Sequence, residues 1–212
     1  MNPARLERLL TAGLVVLLAA GAVVGVKVWL SDRALSAKYA SAYPPLGLVP
    51  DFTLTGQDGR PFREDSLKGK VWVASFIYTR CATSCPLITS QMVRVQRRWG
   101  SHPDFALVSI SVDPGHDTPA VLAAYARSRG ALPGDWHFLT GDPAQVVRVI
   151  ERGFLATAFP IPVRESGRTV DIPHTTDIRL IDHQGYMRGR FEGVLEGDWT
   201  RLDQAIGALL GS

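Results

Sequence analysis

The pattern of apolar and polar positions divides the chain into two unlike parts. Leu9 to Val26 is a run of 18 residues without a charge, and after Lys27 it continues through Val28, Trp29 and Leu30. A helix over 9–30 spans about 33 Å at about 1.5 Å per residue, enough for a bilayer core of about 30 Å. A secretory signal has an apolar region of about 7–15 residues that ends close to a small-residue cleavage site. Here the nearest such site, Ala40-Ser41-Ala42, lies well beyond the run. The pattern predicts a single uncleaved N-terminal transmembrane anchor over 9–30, a short cytoplasmic end over 1–8, and an aperiodic linker over 31–49 that contains Tyr43-Pro44-Pro45.

From residue 50 strand-like and helix-like stretches alternate. Phe52 to Thr55 and Pro61-Phe62 flank Asp58-Gly59, a hairpin turn pair. Val71 to Tyr78 and Phe105 to Val112 are nearly continuous apolar runs, as expected of buried central strands. Between them Pro86 opens a helix with Ile88, Met92, Val95 and Trp99 on one face. Thr118-Pro119 and Asp142-Pro143 each read as an N-cap followed by proline at the first helical position; Val121, Leu122 and Tyr125 point inward from the first of these helices, and the second stops at Gly153. Trp136 to Leu139 is a short strand. Phe154 to Thr176, with Pro160, Pro162 and Pro173, carries no clear element. Asp177 to Ile181 and Tyr186 to Phe191 form a hairpin around Gln184-Gly185, and a last helix uses Leu202, Ile206 and Leu209. This order predicts an α/β fold: one domain over 50–212 with a mixed sheet flanked by helices on both faces.

Composition narrows the function classes. Of 212 residues 46% are hydrophobic and 20% charged, which excludes a wholly disordered chain. A net charge of +3 without a Lys/Arg cluster gives no nucleic-acid footprint. Arg5 and Arg8 before the apolar run are nearly balanced by Lys27, Arg33 and Lys38 after it, so charge alone does not orient the anchor.

The two cysteines stand out as one pair. Cys81 and Cys85, in Cys-Ala-Thr-Ser-Cys-Pro, follow the apolar strand and precede the Pro86 helix. Open α/β sheets bind ligands at that place, and a helix amino terminus favours thiolate over thiol. Such a pair can close a disulfide or hold one soft metal ion; a tetrahedral zinc site needs two further ligands. The plain alternatives are a permanent disulfide, which stabilises little across so short a loop, or two inert core thiols.

Three blocks in fixed order carry a resemblance: K-G-K-V-W-V-A-S-F-I-Y-T-R-C-A-T-S-C-P, then S-V-D-P-G-H-D-T-P, then H-T-T-D-I-R-L-I-D-H-Q-G. Over roughly Pro50 to Leu210 the chain resembles the Sco/SenC family, membrane-anchored, thioredoxin-like copper proteins of cytochrome c oxidase assembly. The resemblance implies a thioredoxin-like sheet and copper bound by Cys81, Cys85 and one downstream histidine. His174, in His-Thr-Thr, falls where the family's ligand stands; Pro173 replaces the Asp that often precedes it. His116 is the second choice. His102 and His183 read as solvated loop residues, and His137 as packed within a strand. Asp113 and Asp117 match the second block, where turn formation and helix capping suffice to explain Asp117.

Two thiolates and an imidazole form a soft three-coordinate set that favours Cu(I); Cu(II) binds with a further oxygen or nitrogen ligand. The resemblance thus implies a metallochaperone that delivers copper to the oxidase subunit carrying the dinuclear copper centre, with another copper donor protein as a further partner. A second reading from the same residues is a thiol-disulfide oxidoreductase, with Cys81 and Cys85 as catalytic pair, that reduces the partner's copper-ligand cysteines. A third, a peroxiredoxin-like peroxidase with Arg80 beside the cysteine, fits less well, because a second Cys and a downstream His favour copper. The redox chemistry belongs outside the cytoplasm, and the eight residues before the apolar run leave no room for a mitochondrial transit peptide. The expected location is a bacterial inner membrane with the domain in the periplasm.

Overall fold

The computed structural model describes residues 13, 18–27, 43–132, 134–156 and 176–211. Its centre is one eight-stranded sheet in the order β1-β8-β7-β4-β5-β6-β2-β3. The strands are β1 (Gly47–Leu48), β2 (Thr53–Gly56), β3 (Pro61–Arg63), β4 (Val71–Ile77), β5 (Phe105–Ser111), β6 (Trp136–Thr140), β7 (Asp177–Ile181) and β8 (Tyr186–Glu192). The two apolar runs become β4 and β5, buried at every position, because they lie inside the sheet with both faces covered. They pair in parallel from Val71↔Phe105 to Ile77↔Ser111, and β6 continues the parallel set. β2, β3, β7, β8 and β1 add antiparallel pairs, so the sheet is mixed as the alternation predicts. Gly59 lies in the turn between β2 and β3 with φ +78°, a conformation that costs glycine little.

The helices are α1 (Ser84–Trp99), α2 (Pro119–Ser128), α3 (Pro143–Arg148), which runs on through a π-helical turn at Val149–Gly153, and α4 (Glu196–Leu210). All four apolar positions of the α1 face are buried. Thr118 and Asp142 cap α2 and α3, their side chains accepting from the amides of Val121 and Gln145. Leu122 and Tyr125 are buried while Val121 is only half-buried, and the last helix buries Leu202 and Ile206 with Leu209 half-covered. Inside the core, Ser75 and Ser109 hydroxyls meet at 2.8 Å and the Trp136 indole N–H donates to Ser109 at 2.9 Å, which satisfies these polar groups away from water.

Several boundaries differ from the sequence reading. Gly47 and Leu48, placed in the linker, form an edge strand on β8, and Val49 is buried in the core. Helix α1 begins at Ser84, two residues before Pro86; proline is tolerated in a first turn because amides there lack intrahelical partners. Residues 18–27 are helical and exposed, and no helix among the described residues is long and apolar enough to cross a membrane. The end over 1–8, the parts of the anchor other than residues 13 and 18–27, and most of the linker fall outside the described residues, as does the Pro-bearing stretch from residue 157 to 175, His174 included.

Topology gathers the three sequence blocks at one sheet end. β4 and β5 are parallel, so Ile77 and Ser111 finish side by side, followed by the cysteine turn and by the Asp113 to Thr118 turn. β7 runs antiparallel to β4 in the register Ala74↔Arg179, which puts its first residue, Asp177, at that same end.

Candidate functional site

Cys81 follows the turn after β4, and Cys85 lies in the first turn of α1. Both are reduced, with no disulfide between them, and both are buried. The residue in the N-cap position of α1, Thr83, makes no side-chain cap, and the Cys81 sulfur takes over that role: the Cys85 amide donates to Cys81 Sγ at 3.3 Å. The hydroxyls of Thr83 and Ser84 lie 3.6 Å and 3.8 Å from the same sulfur. This explains the early start of α1, because the sulfur supplies the acceptor that a capping oxygen would otherwise give.

The two thiols are electrostatically unequal. Burial pushes the Cys81 thiol up, but hydrogen bonds from the Cys85 amide, the Thr83 hydroxyl and amide, and Tyr78 outweigh it and bring its pKa down to about 6. Cys85 is deeper, and burial raises its pKa above the usual thiol range, with the Tyr78 backbone contact opposing only in part. At neutral pH the pair is therefore a thiolate at 81 beside a thiol at 85.

The second block supports the cysteine turn. Asp117 is fully buried and accepts from the Thr79 amide at 3.1 Å, the Thr79 hydroxyl at 2.5 Å and the Ser111 hydroxyl at 2.6 Å. Burial raises its pKa against these hydrogen bonds. The expectation that turn formation and capping suffice for Asp117 is thus corrected: Thr118 caps α2, and Asp117 ties the turn before Cys81 to the end of β5. Arg80 donates to Asp113 from Nη2 at 2.6 Å and from Nε at 3.2 Å, so its guanidinium is committed to a carboxylate that is itself buried. The contacts of Thr79 and Arg80 were illegible in sequence because they cross 38 and 33 positions; the repeated Asp in the block was the only signal.

Among the other histidines, His137 lies in β6 with its ring 4.8 Å from that of Phe62, packed as expected. His183 and His116 are exposed in turns, and His102 is half-buried, its Nδ1 accepting from the Asp104 amide at 3.2 Å. The described residues hold no group of three or more His, Cys, Asp or Glu arranged to hold a metal ion. The third copper ligand of the sequence reading, His174, lies outside them, three residues before β7.

The flank of β7 that is described leads to the cysteine helix. The Gly193 amide donates to the Thr176 carbonyl at 3.0 Å. A Cβ placed on Gly193 would stand 2.6 Å from that carbonyl oxygen and 3.2 Å from Cγ1 of Ile88, one helical turn beyond Cys85.

The SCO1/SenC family profile matches residues 41–201, about three quarters of the chain. The chain belongs to the SCO1/SenC family. A SCO1 protein homolog of Bacillus subtilis is 31% identical over 147 residues, covering 69% of this chain and 74% of that protein. Among solved structures, BsSco, a Sco-family cytochrome c oxidase assembly protein with an identified disulfide switch, superposes with a TM-score of 0.63 at 29% identity, covering 77% of this chain and 95% of that one. Bradyrhizobium japonicum ScoI, solved with copper bound, superposes with a TM-score of 0.56 at 28% identity, over 75% of this chain and 99% of its own. The mixed sheet and its helices are the thioredoxin-like fold of these Sco structures.

Proposed function

We propose that this SCO1/SenC protein is a copper carrier for cytochrome c oxidase assembly that holds Cu(I) between Cys81, Cys85 and His174. The observation that carries this reading is the sulfur of Cys81, presented as a thiolate at the amino terminus of α1 with the second thiol in the helix's own first turn. Two sulfurs so placed are a soft donor pair, suited to Cu(I) and unsuited to hard ions. The third ligand is supported by topology and reach. His174 stands three positions before Asp177, about 10 Å of chain at most, and Asp177 starts β7 at the sheet end from which the cysteine turn leaves. The copper-bound ScoI relative supports the cargo, and the oxidase assembly role of BsSco supports the partner, an oxidase subunit with a dinuclear copper site. In this reading residues 9–30 anchor the domain to a bacterial inner membrane, facing the periplasm.

The inequality of the thiols favours a second role for the same pair. Cys81 is the nucleophile in a thiol-disulfide exchange: its thiolate attacks a partner disulfide, one partner sulfur leaves as a thiolate, and Cys85 then resolves the mixed disulfide by giving up its proton and closing the Cys81–Cys85 bond. The partner gains two electrons and the pair loses two. The disulfide switch of BsSco supports this reading.

Metal analysis separates the roles. The full chain, purified reduced and loaded with Cu(I), is expected to retain one copper per chain, and Cys81→Ser, Cys85→Ser and His174→Ala each to lose it on passage over a competing chelator. His174→Ala is expected to retain disulfide exchange. Copper retention equal to wild type in His174→Ala would remove the imidazole from the site; no retention in the wild type would leave only the exchange reaction.

A further inference from the structure

A group of exposed apolar side chains lies at the sheet end away from the cysteines. β1 pairs with β8 in the register Leu48↔Tyr186, and the Leu46 amide extends the pairing by donating to the Met187 carbonyl at 2.8 Å. Through β7, Met187 stands level with Trp72, so Tyr186 lies beside the start of β4. Directly paired residues, and residues two apart on one strand, share a sheet face. Leu46, Leu48 and Tyr186 therefore form one patch, each at least 39% exposed, while Met187 between them turns inward and is buried. Single exposed leucines need no explanation, but a contiguous apolar group at a sheet edge marks a contact surface.

The patch runs into a basic cleft. A Cβ placed on Gly185 would stand 3.5 Å from Leu48 Cδ1 and 3.8 Å from Glu64 Oε1. Glu64 lines a cleft of about 470 Å³ between residues 50–53, the short helical turn Glu64–Leu67 and the end of α3. Its cations are Arg63, Lys68, Arg148 and Arg152, and its carboxylates Asp51, Glu64 and Asp65. Arg63 pairs with Asp65 at 3.0 Å, and Lys68 stands 3.7 Å from Asp51 and 4.0 Å from Glu64. Arg148 and Arg152 are exposed one turn apart, with no carboxylate within ion-pair distance among the described residues. Two guanidinium groups left over in this way suit a phosphate anion.

Leucines and a tyrosine beside arginines match an anionic bilayer surface: the apolar groups enter the interface while the guanidinium groups meet lipid phosphate. The chain also enters the domain at this place. Arg188 Nη1 donates to the Tyr43 carbonyl at 3.3 Å, and upstream of Tyr43 the helical residues 18–27 leave Leu18, Val23, Val24 and Val26 more than half exposed. We propose that the Leu46, Leu48 and Tyr186 patch and the cleft of Arg148 and Arg152 are a docking surface for an anionic bilayer, with a lipid phosphate held by the two arginines. This rests on the anchor reading above. β4 runs seven residues from this base toward the cysteine turn, so docking holds Cys81 and Cys85 about 20 Å from the lipid, at the far end of the sheet.

Paramagnetic relaxation of leucine methyl groups tests this, with the full chain in lipid nanodiscs that carry a gadolinium-chelate headgroup. In phosphatidylcholine discs containing phosphatidylglycerol, Leu46 and Leu48 are expected to relax about tenfold faster than Leu87, which is exposed on the cysteine helix at the other end of β4. Discs of phosphatidylcholine alone, or the double substitution Arg148→Gln with Arg152→Gln, are each expected to reduce that ratio severalfold. Leu48→Ser is expected to do the same, read at Leu46. Equal relaxation at Leu46, Leu48 and Leu87 in a chain that stays on the discs, or a ratio unchanged by the double substitution, would overturn the proposal and leave the anchor reading standing. A chain that comes off both kinds of disc on size exclusion would overturn the anchor reading and the proposal with it.

Discussion

Cys85→Ser is expected to lower Cu(I) affinity by about a thousandfold, since a hard hydroxyl replaces one of two soft donors, while Cys81 keeps its reactivity. The alkylation rate of Cys81 by iodoacetamide is expected to reach half its maximum near pH 6 in wild type and near the same pH in the variant. The reason is that the Cys85 contact lowering that pKa is a backbone amide, which serine retains. The sign follows from the direction of the shift. Cys81 ionises more readily folded than unfolded, so its thiolate adds stability above the ordinary thiol range near pH 8.5, and that contribution is lost as pH falls through about 6.

Copper binding inherits the inequality. Near pH 7.5 Cys81 has already lost its proton and Cys85 has not, so Cu(I) binding is expected to release about one proton per ion. Two ordinary thiols would release nearly two at that pH. Calorimetry in buffers of different ionisation enthalpy counts them, and a value near two would contradict the thiolate at Cys81.

The second large effect is expected at Gly193. In Gly193→Ala the new Cβ would meet the Thr176 carbonyl oxygen at 2.6 Å, Ile88 Cγ1 at 3.2 Å and Ile178 Cγ1 at 3.3 Å. A backbone carbonyl cannot turn aside as a side chain does, so either β7 moves at its first residues or the contact with α1 opens. A destabilisation of about 2–3 kcal/mol is expected, in the range of core overpacking. For a domain of this size that lowers Tm by about 5–10 °C. Copper affinity is expected to fall with it, because Thr176 is two residues from His174. A thermal melt matching wild type would show that the approach is looser than the structure gives.

Most of the fold was legible because it depends on local pattern. The buried runs at Val71 and Phe105, the cap-plus-proline pairs at Thr118 and Asp142 and the turns at Asp58-Gly59 and Gln184-Gly185 each specify an element without reference to distant residues. The two-residue strand Gly47–Leu48 was too short to leave a period, and exists only because β8 offers it a partner. Of the candidate site, the pairing of Cys81 with Cys85 at the strand-to-helix turn was legible and the states of the two thiols were not. A thiolate at Cys81 and a thiol at Cys85 reflect depth and hydrogen bonds, which a spacing of four does not encode. Asp117 looked like a local turn residue, and its bonds to Thr79 cross 38 positions. Arg179, inside the Asp177 to Ile181 strand, donates to the Phe154 carbonyl across 25 positions, a contact that no local pattern encodes.

X-ray absorption of the Cu(I)-loaded full chain tests the central claim most directly. The expected first shell is two sulfurs and one imidazole nitrogen, with the nitrogen lost in His174→Ala. A shell of sulfur alone in the wild type, unchanged by that substitution, would contradict it.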